Sequence, residues 1–417
     1  MIVRPPGLRR AGAALLGAVT VAALGAATPG TAAGAAPDSV LTWYDATADA
    51  VATTGAATQV TNNRTWAIAW LGAARAQAGS PSPVYQRAAL AGAVHRAIVT
   101  LLPARAAAAD DVLAADLATI PAGRSRTSGL DAGRAAVDRL IAARTGDGLD
   151  PASVNAVYPQ PAAAPGVWQP TPPAYSPAAQ YGNRTARPFL LRNAAQFRPG
   201  PPPALGSARY RADLAEVRAY GAADSTVRTP AQTDTATFWL GSSLTLYTPI
   251  LRAAVEQLPG SPARRTRLIA LFHVAVVDTQ IATSDAKYAY QRWRPVTAIR
   301  NADVDGDPVT EADPQWLPLH VTPAHPDYPS GHNTYAGAAE GILTALAGPV
   351  ARAPYTIGSP SAPGVTRTYT DWHQPGRENV DARVWSGIHT RSADEAGIRL
   401  GRDVAAYALA HAGDLLR

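Results

Sequence analysis

Lys287-Tyr288-Ala289-Tyr290-Gln291-Arg292-Trp293-Arg294-Pro295 holds the single lysine of a 417-residue chain in which Lys and Arg together number 37. Elsewhere arginine supplies the cation. A lysine ammonium is a compact point charge, whereas a guanidinium is a broad planar fork. A site that seats one ammonium against a small oxyanion rejects the fork on size. A lone lysine also fits chance survival, so its neighbours decide. Arg294 follows seven positions later, about two helical turns, which puts both charges on one helix face. Two cations aimed the same way from an apolar helix call for an anion between them.

That helix is expected from Arg264 to about Arg292, and the same three- and four-residue apolar spacing recurs along the chain. It marks Arg64–Ala78, Tyr85–Leu102, Ala106–Ala118 and Ser128–Arg144, then Ala208–Tyr220, Pro230–Leu240, Leu246–Gln257, Gly331–Leu346 and Ser392–Ala412. Breakers at Gly79-Ser80-Pro81, Pro103 and Pro121-Ala122-Gly123 separate the early ones. Strand-like alternation is scarce. The expected fold is all-α: an N-terminal helical bundle over 37–150 and a second, catalytic bundle over 206–417. A Pro- and aromatic-rich connecting segment spans 151–205. A segment that long is unusual in a compact domain. Its Trp168, Tyr175, Tyr181, Phe189 and Phe197 point to a strap wrapped on the bundles.

Composition sets the outer bounds. With 47% hydrophobic and 16% charged residues the chain can build a large core. It has no cysteine, which excludes disulfides, thiolate metal sites and a cysteine nucleophile. Arg4, Arg9 and Arg10 precede an apolar run from Ala11 to about Ala27 and small residues around Ala33-Gly34-Ala35, the pattern of a secretory signal peptide over 1–36. Removing those three arginines lowers the formal charge from +6 to +3, too mild and scattered for nucleic acid. No later segment is long and apolar enough to span a bilayer.

Two further segments carry chemistry. His325-Pro326-Asp327-Tyr328-Pro329-Ser330-Gly331-His332 opens a helix. Ser330 can cap it or donate its hydroxyl, and Gly331 lets a backbone N–H approach a ligand. His332 falls in the first turn, where its ring can give or take a proton. Arg383-Val384-Trp385-Ser386-Gly387-Ile388-His389 follows, with Asp394 five residues later. That supplies another cation and a histidine that a carboxylate on its second nitrogen would orient.

Taken in order, Lys-x6-Arg-Pro, Pro-Ser-Gly-His and Arg-x5-His with a following Asp resemble the signature of the vanadium-dependent haloperoxidase and type 2 phosphatidic acid phosphatase superfamily. Trp293-Arg-Pro-Val-Thr-Ala-Ile-Arg300, Arg228-Thr-Pro-Ala-Gln-Thr233 and Pro201-Pro-Pro-Ala-Leu205 look like its secreted bacterial branch. Two positions depart: Ala382 replaces a serine before the third-motif arginine, and His389 and Asp394 stand one residue farther apart than the usual His-x3-Asp.

The resemblance implies that Lys287, Arg294, Arg383, Ser330 and Gly331 bind vanadate or phosphate. His389 would be the vanadium ligand or, with phosphate, a nucleophile. His332 would be the acid–base group, and Asp394 the partner of His389. It implies vanadate as cofactor and Lewis acid, with hydrogen peroxide, halide and a small organic molecule as substrates. His325 stands where several bromide-oxidising relatives have histidine, which favours bromide or iodide over chloride. The same cradle with phosphate implies an acid phosphatase acting on phosphate esters, and a non-catalytic helical binding protein is a third reading. Trp293, Trp385 and Tyr328 fit either pocket wall or core. His273 reads as a bundle histidine, and Asp278 and Asp285 as anions that could pair with the clamp arginines.

Overall fold

The computed structural model describes residues 38–417, so the leader expected over 1–36 lies outside the described residues. In chain order the helices are α1 (Ser39–Thr54), α2 (Gln59–Gln77), α3 (Pro83–Leu101), α4 (Ala106–Ala118), α5 (Arg124–Ala143) and the one-turn α6 (Pro151–Val154). After the connecting segment come α7 (Ala208–Gly221), α8 (Pro230–Phe238), α9 (Ser243–Gln257), α10 (Pro262–Tyr290), α11 (Pro295–Arg300) and α12 (Gly331–Ala347). An antiparallel hairpin, β1 (Val350–Ser359) and β2 (Ala362–Asp371), precedes α13 (Gln374–Trp385), α14 (Arg391–Ala410) and the short α15 (Ala412–Leu415).

The helical expectation holds, with a two-stranded addition. β2 alternates Val365, Arg367 and Tyr369 with threonines, a period of two on β-branched residues. Tyr355 pairs with Tyr369 and Ile357 with Arg367, and the buried Tyr355, Ile357 and Tyr369 pack over α9. Trp372 closes the hairpin's base by stacking on Tyr355 at 5.0 Å.

The long α10 is the axis of the molecule. Ser261 caps it by accepting from Arg264 N, with Pro262 in the first turn. Nearly all of Leu268–Tyr288 is buried, because α2 covers one side and α12 and α14 cover others. A helix covered on several sides shows no single apolar stripe. In the first bundle α3 packs on α5 and α2. In the second, α12 packs on α14 so closely that a Cβ on Gly401 would lie 2.1 Å from the Thr334 carbonyl oxygen.

The connecting segment is the expected strap. Trp168 is fully buried and its backbone N–H donates to the Gln291 carbonyl at 2.6 Å. Tyr181 meets Tyr288 edge-on at 5.0 Å, and Phe197 meets Tyr407 at 5.6 Å; Tyr175 alone of the five named aromatics stands exposed. Two carboxylates on α10 hold the strap. Asp278 accepts the N–H groups of Phe189, Leu190 and Leu191 at 2.6, 2.7 and 3.0 Å. Asp285 takes both ends of the Arg198 guanidinium at 2.7 and 2.9 Å. The expectation that these aspartates pair with the clamp arginines is therefore corrected. Asp285 lies two residues from Lys287, about 200° around the helix, and so faces another neighbour.

Candidate active site

Lys287 sits in the last turn of α10, but the helix does not continue to Arg294. It stops at Tyr290, where Gln291 takes a left-handed conformation with φ 52° and returns its N–H to the Lys287 carbonyl. Arg294 is the residue before α11, extended as Pro295 demands of its predecessor. The two cations converge because the chain reverses there, and the two-turn argument is corrected accordingly. Lys287 is 3% exposed and Arg294 0%; burial lowers both pKa values, Arg294 to about 10, and the Arg294 charge lowers that of Lys287 further.

Arg383 lies in the last turn of α13, 1% exposed, its pKa also lowered to about 10 by burial. His389 follows in the loop before α14. Gly387 in that loop has φ 77°, and a Cβ on it would come within 2.3 Å of the Gly221 carbonyl oxygen. Only glycine lets the loop lie so close to α7. The third wall is the start of α12, with Ser330 at its N-cap, then Gly331 and His332.

Each donor's commitments show what is left for a ligand. Lys287 gives two of its three protons to the carbonyls of Pro326 and Asp327, at 2.6 and 3.1 Å. Arg294 is mostly spent on the protein: Nε bonds the His325 carbonyl at 2.7 Å and Nη1 the Ile388 carbonyl at 2.5 Å. It also lies 3.1 Å from His389 Nε2 and 3.0 Å from His325 Nδ1. Arg383 is the freest, with Nη1 on the Trp239 carbonyl at 3.1 Å and a buried Nε that has no partner among the described residues. Ser330 Oγ is likewise buried; it sits against the Asp394 carboxylate, whose pKa it lowers, but without a well-formed hydrogen bond. The Gly331 N–H is one of those a helix cannot pair internally. A Cβ at Gly331 would stand 3.9 Å from Lys287 Cε, inside this cradle.

His389 is oriented by Asp327 and not by Asp394. Its Nδ1 is 2.6 Å from Asp327 Oδ1, while Thr390 donates to the other oxygen at 2.7 Å. An ionised carboxylate only accepts, so Nδ1 carries the hydrogen, and the Nε2 lone pair faces the Arg294 Nη1 donor at 3.1 Å. Asp327 is fully buried, which raises its pKa to about 6 against the opposing pull of Arg294. Burial first, then the surrounding cations, hold His389 well below the usual imidazole range.

Asp394, expected as the partner, instead accepts from Asn333 Nδ2 at 2.7 Å on the far side of Ser330. The extra residue between His389 and Asp394 carries the carboxylate into the first turn of α14, away from the ring. Asp327 was in plain view in the second motif; its signal is a carboxylate inside a loop that also bends past the third-motif histidine. Nothing local links it to a residue 62 positions away.

His332 Nε2 donates to the Gly241 carbonyl at 2.9 Å, so in the neutral ring Nδ1 is the free base. Burial, helped by Arg383, lowers its pKa to about 3. The cleft holding these groups has a volume of about 450 Å³. Lys287, His325, Gly331, His332, Arg383 and His389 all line it; Trp293, Trp385 and Tyr328 do not. Trp293 and Tyr328 are buried core aromatics. His273 is the bundle histidine expected, 4.6 Å from Trp66 in a stack and 3.2 Å from Asn63 Oδ1.

Buried donors without protein acceptors, among three cations and one oriented imidazole, fit a tetrahedral oxyanion such as vanadate or phosphate. Residues 267–417 match the family model described as the VCPO second helical-bundle domain. Vanadium chloroperoxidase of Curvularia inaequalis is 32% identical over 143 residues, covering 28% of this chain and 23% of that protein, so the match spans under a quarter of the curated relative. In fold the chain is similar to a bacterial vanadium-dependent iodoperoxidase, with TM-score 0.73 and 22% identity over 89% of this chain and 95% of that one. It is also similar to a bacterial vanadium-dependent chloroperoxidase in its apo form, with TM-score 0.64 and 15% identity over 86% and 95% of the two chains.

Proposed function

We propose that the chain, whose residues 267–417 match the VCPO second helical-bundle domain, acts as a vanadium haloperoxidase and oxidises halide with hydrogen peroxide. The observation that carries this reading is the set of unspent donors around the Nε2 lone pair of His389. Vanadate, when bound, supplies a Lewis acid that activates peroxide for two-electron oxidation of halide without changing its own oxidation state. Arg383, Ser330, the Gly331 N–H and the remaining proton of Lys287 would hold the oxyanion, and His389 would bind it through Nε2. Arg294 acts chiefly as a brace, pinning the His325 and Ile388 carbonyls while its charge lowers the cost of an anion nearby. His332 Nδ1 takes a proton from hydrogen peroxide. An anion facing it would offset the cations that depress its pKa and make it a stronger base.

Iodide or bromide is proposed ahead of chloride. His325, half-buried on the cleft wall and hydrogen-bonded to Arg294, is the support. Export of the chain is proposed from its basic and apolar leader alone.

The test is triiodide formation from iodide and hydrogen peroxide after vanadate loading, which His389→Ala abolishes. No turnover with iodide or bromide after loading defeats the proposal. The same cradle could seat phosphate; in that case an aryl phosphate would be hydrolysed, and vanadate would inhibit.

A further inference from the structure

Beside the cleft lies a second cavity of about 580 Å³, walled by α1, the α1–α2 turn, the start of α2 and the first turns of α9. Ala57, Gln59 and Ser242 line both cavities, so the two meet along a shared wall. Their chemistry differs. The cleft keeps cationic donors in reserve, whereas the side-chain amides and hydroxyls of the second cavity are paired and its unpartnered donor, Trp66 Nε1, is neutral.

Asn62 closes on the N–H and carbonyl of Ala56 at 2.7 and 2.9 Å. Thr248 donates to the Leu244 carbonyl at 2.7 Å, and the hydroxyls of Ser242 and Thr245 pair at 3.0 Å. Gln59 donates to Gln280 at 3.0 Å and accepts from Leu244 N at 3.2 Å. Asp49 is the one ionisable side chain among the lining residues, and Arg105 pairs with it. The rest of the surface comes from small or apolar groups, chiefly Ala48, Val51, Ala52, Trp66, Leu244 and Pro249. A charged ligand entering there would lose hydration without gaining a partner of opposite free charge, whereas the neutral Trp66 Nε1 can serve a hydroxyl. A neutral apolar one gains by burial. The volume lies within the range of roughly 300–1,000 Å³ usual for small-ligand sites.

We propose that this cavity binds a small, neutral, electron-rich aromatic molecule, the acceptor for halogen oxidised in the adjoining cleft. The role as acceptor rests on the peroxidase reading; the binding itself does not. Hypohalous acid and the arene give aryl halide and water. A carbon–halogen bond forms, the oxygen–halogen bond breaks, and the ring proton leaves with the hydroxide as water. An acceptor held at the shared wall meets the electrophile at high effective concentration before it diffuses away.

The experiment uses 2-naphthol as probe and the full chain without vanadate, with binding followed by titration calorimetry. Ala52→Trp, at an exposed position of α1, fills the cavity from one side, and Thr245→Phe fills it from α9. Each is expected to weaken 2-naphthol binding at least about tenfold, with 2-naphthoate binding the parent at least about tenfold more weakly than 2-naphthol does. After vanadate loading, the KM for 2-naphthol halogenation should rise by a similar factor in both variants, while triiodide formation from iodide alone stays at the parent rate. Undiminished 2-naphthol binding in both folded variants, or equal affinity for 2-naphthoate, overturns the proposal. Triiodide formation absent from the parent, with naphthol binding still lost in the variants, overturns the peroxidase reading and leaves the binding site standing.

Discussion

Two buried histidines mark two regions built on different rules. His389 in the cation cradle and His273 in the seam between α2 and α10 are each 1% exposed, and burial is the first cause that lowers both pKa values. At His273 it is the sole cause given, and the ring is settled by neutral neighbours, Asn63 and the face of Trp66. At His389 three cations add to the effect, a carboxylate fixes the tautomer, and nearby donors stay unspent. Burial alone therefore does not separate a structural histidine from a functional one. What separates them is whether the surrounding charges are balanced by the protein itself.

The largest expected effect breaks the comparison if it fails. His389→Ala should bring vanadate-dependent iodide oxidation to background while the fold is kept. His273→Ala should leave turnover near the parent rate but destabilise the chain by about 2 kcal/mol, through lost packing against Trp66 and one lost hydrogen bond to Asn63, read by thermal denaturation. Equal loss of activity in both would erase the distinction.

Next, Asp327→Asn should weaken vanadate binding by about 10–100-fold, as loss of a ligand's carboxylate partner does. Asp394→Asn should weaken it less, since Asp394 meets Asn333 and Ser330 and acts on the cations only through its charge, not on the ring. Thermal-shift titration with vanadate measures both. The reverse order would return the orienting role to Asp394.

Lys287→Arg keeps the charge but must fit a fork where two carbonyls already grip a point. A drop of about tenfold in vanadate affinity, about 1.4 kcal/mol, is expected; full affinity would remove the size argument for this lysine.

The effect that leaves affinity and turnover at neutral pH untouched is on stability against acid. His273 has its pKa lowered from 6.5 to about 3, so between those values the unfolded chain binds a proton that the folded chain does not. Stability from this group is full above pH 6.5 and is lost as pH falls toward 3. His273→Gln should make the decline of Tm with acid shallower; an unchanged slope would show that His273 is not a buried neutral base.

Much of this was legible along the chain. The helices from Ala106 to Ala118 and from Ala208 to about Gly221 follow their apolar spacing almost to the residue. The order of Lys287, Arg294, Ser330, His332, Arg383 and His389 was legible too, because those chemical types recur at short local spacing. The hairpin over Val350–Asp371 was not, since its few buried positions gain their partners from α9. Nor was the end of α10 at Tyr290, although Pro295 announces that Arg294 cannot be helical.

By itself the sequence determined the helical class, the exclusion of cysteine chemistry and the identity of the cationic groups, because periodicity, composition and residue type are local properties. Tertiary structure alone decided that Asp327 and not Asp394 holds His389, that Arg294 is largely a brace, and that a cavity without free charge adjoins the cradle. Each of these depends on which atoms segments far apart in sequence bring within hydrogen-bond reach. Hydrogen bonds are counted in space: a donor is free for a ligand only after every neighbouring carbonyl and carboxylate has taken its share.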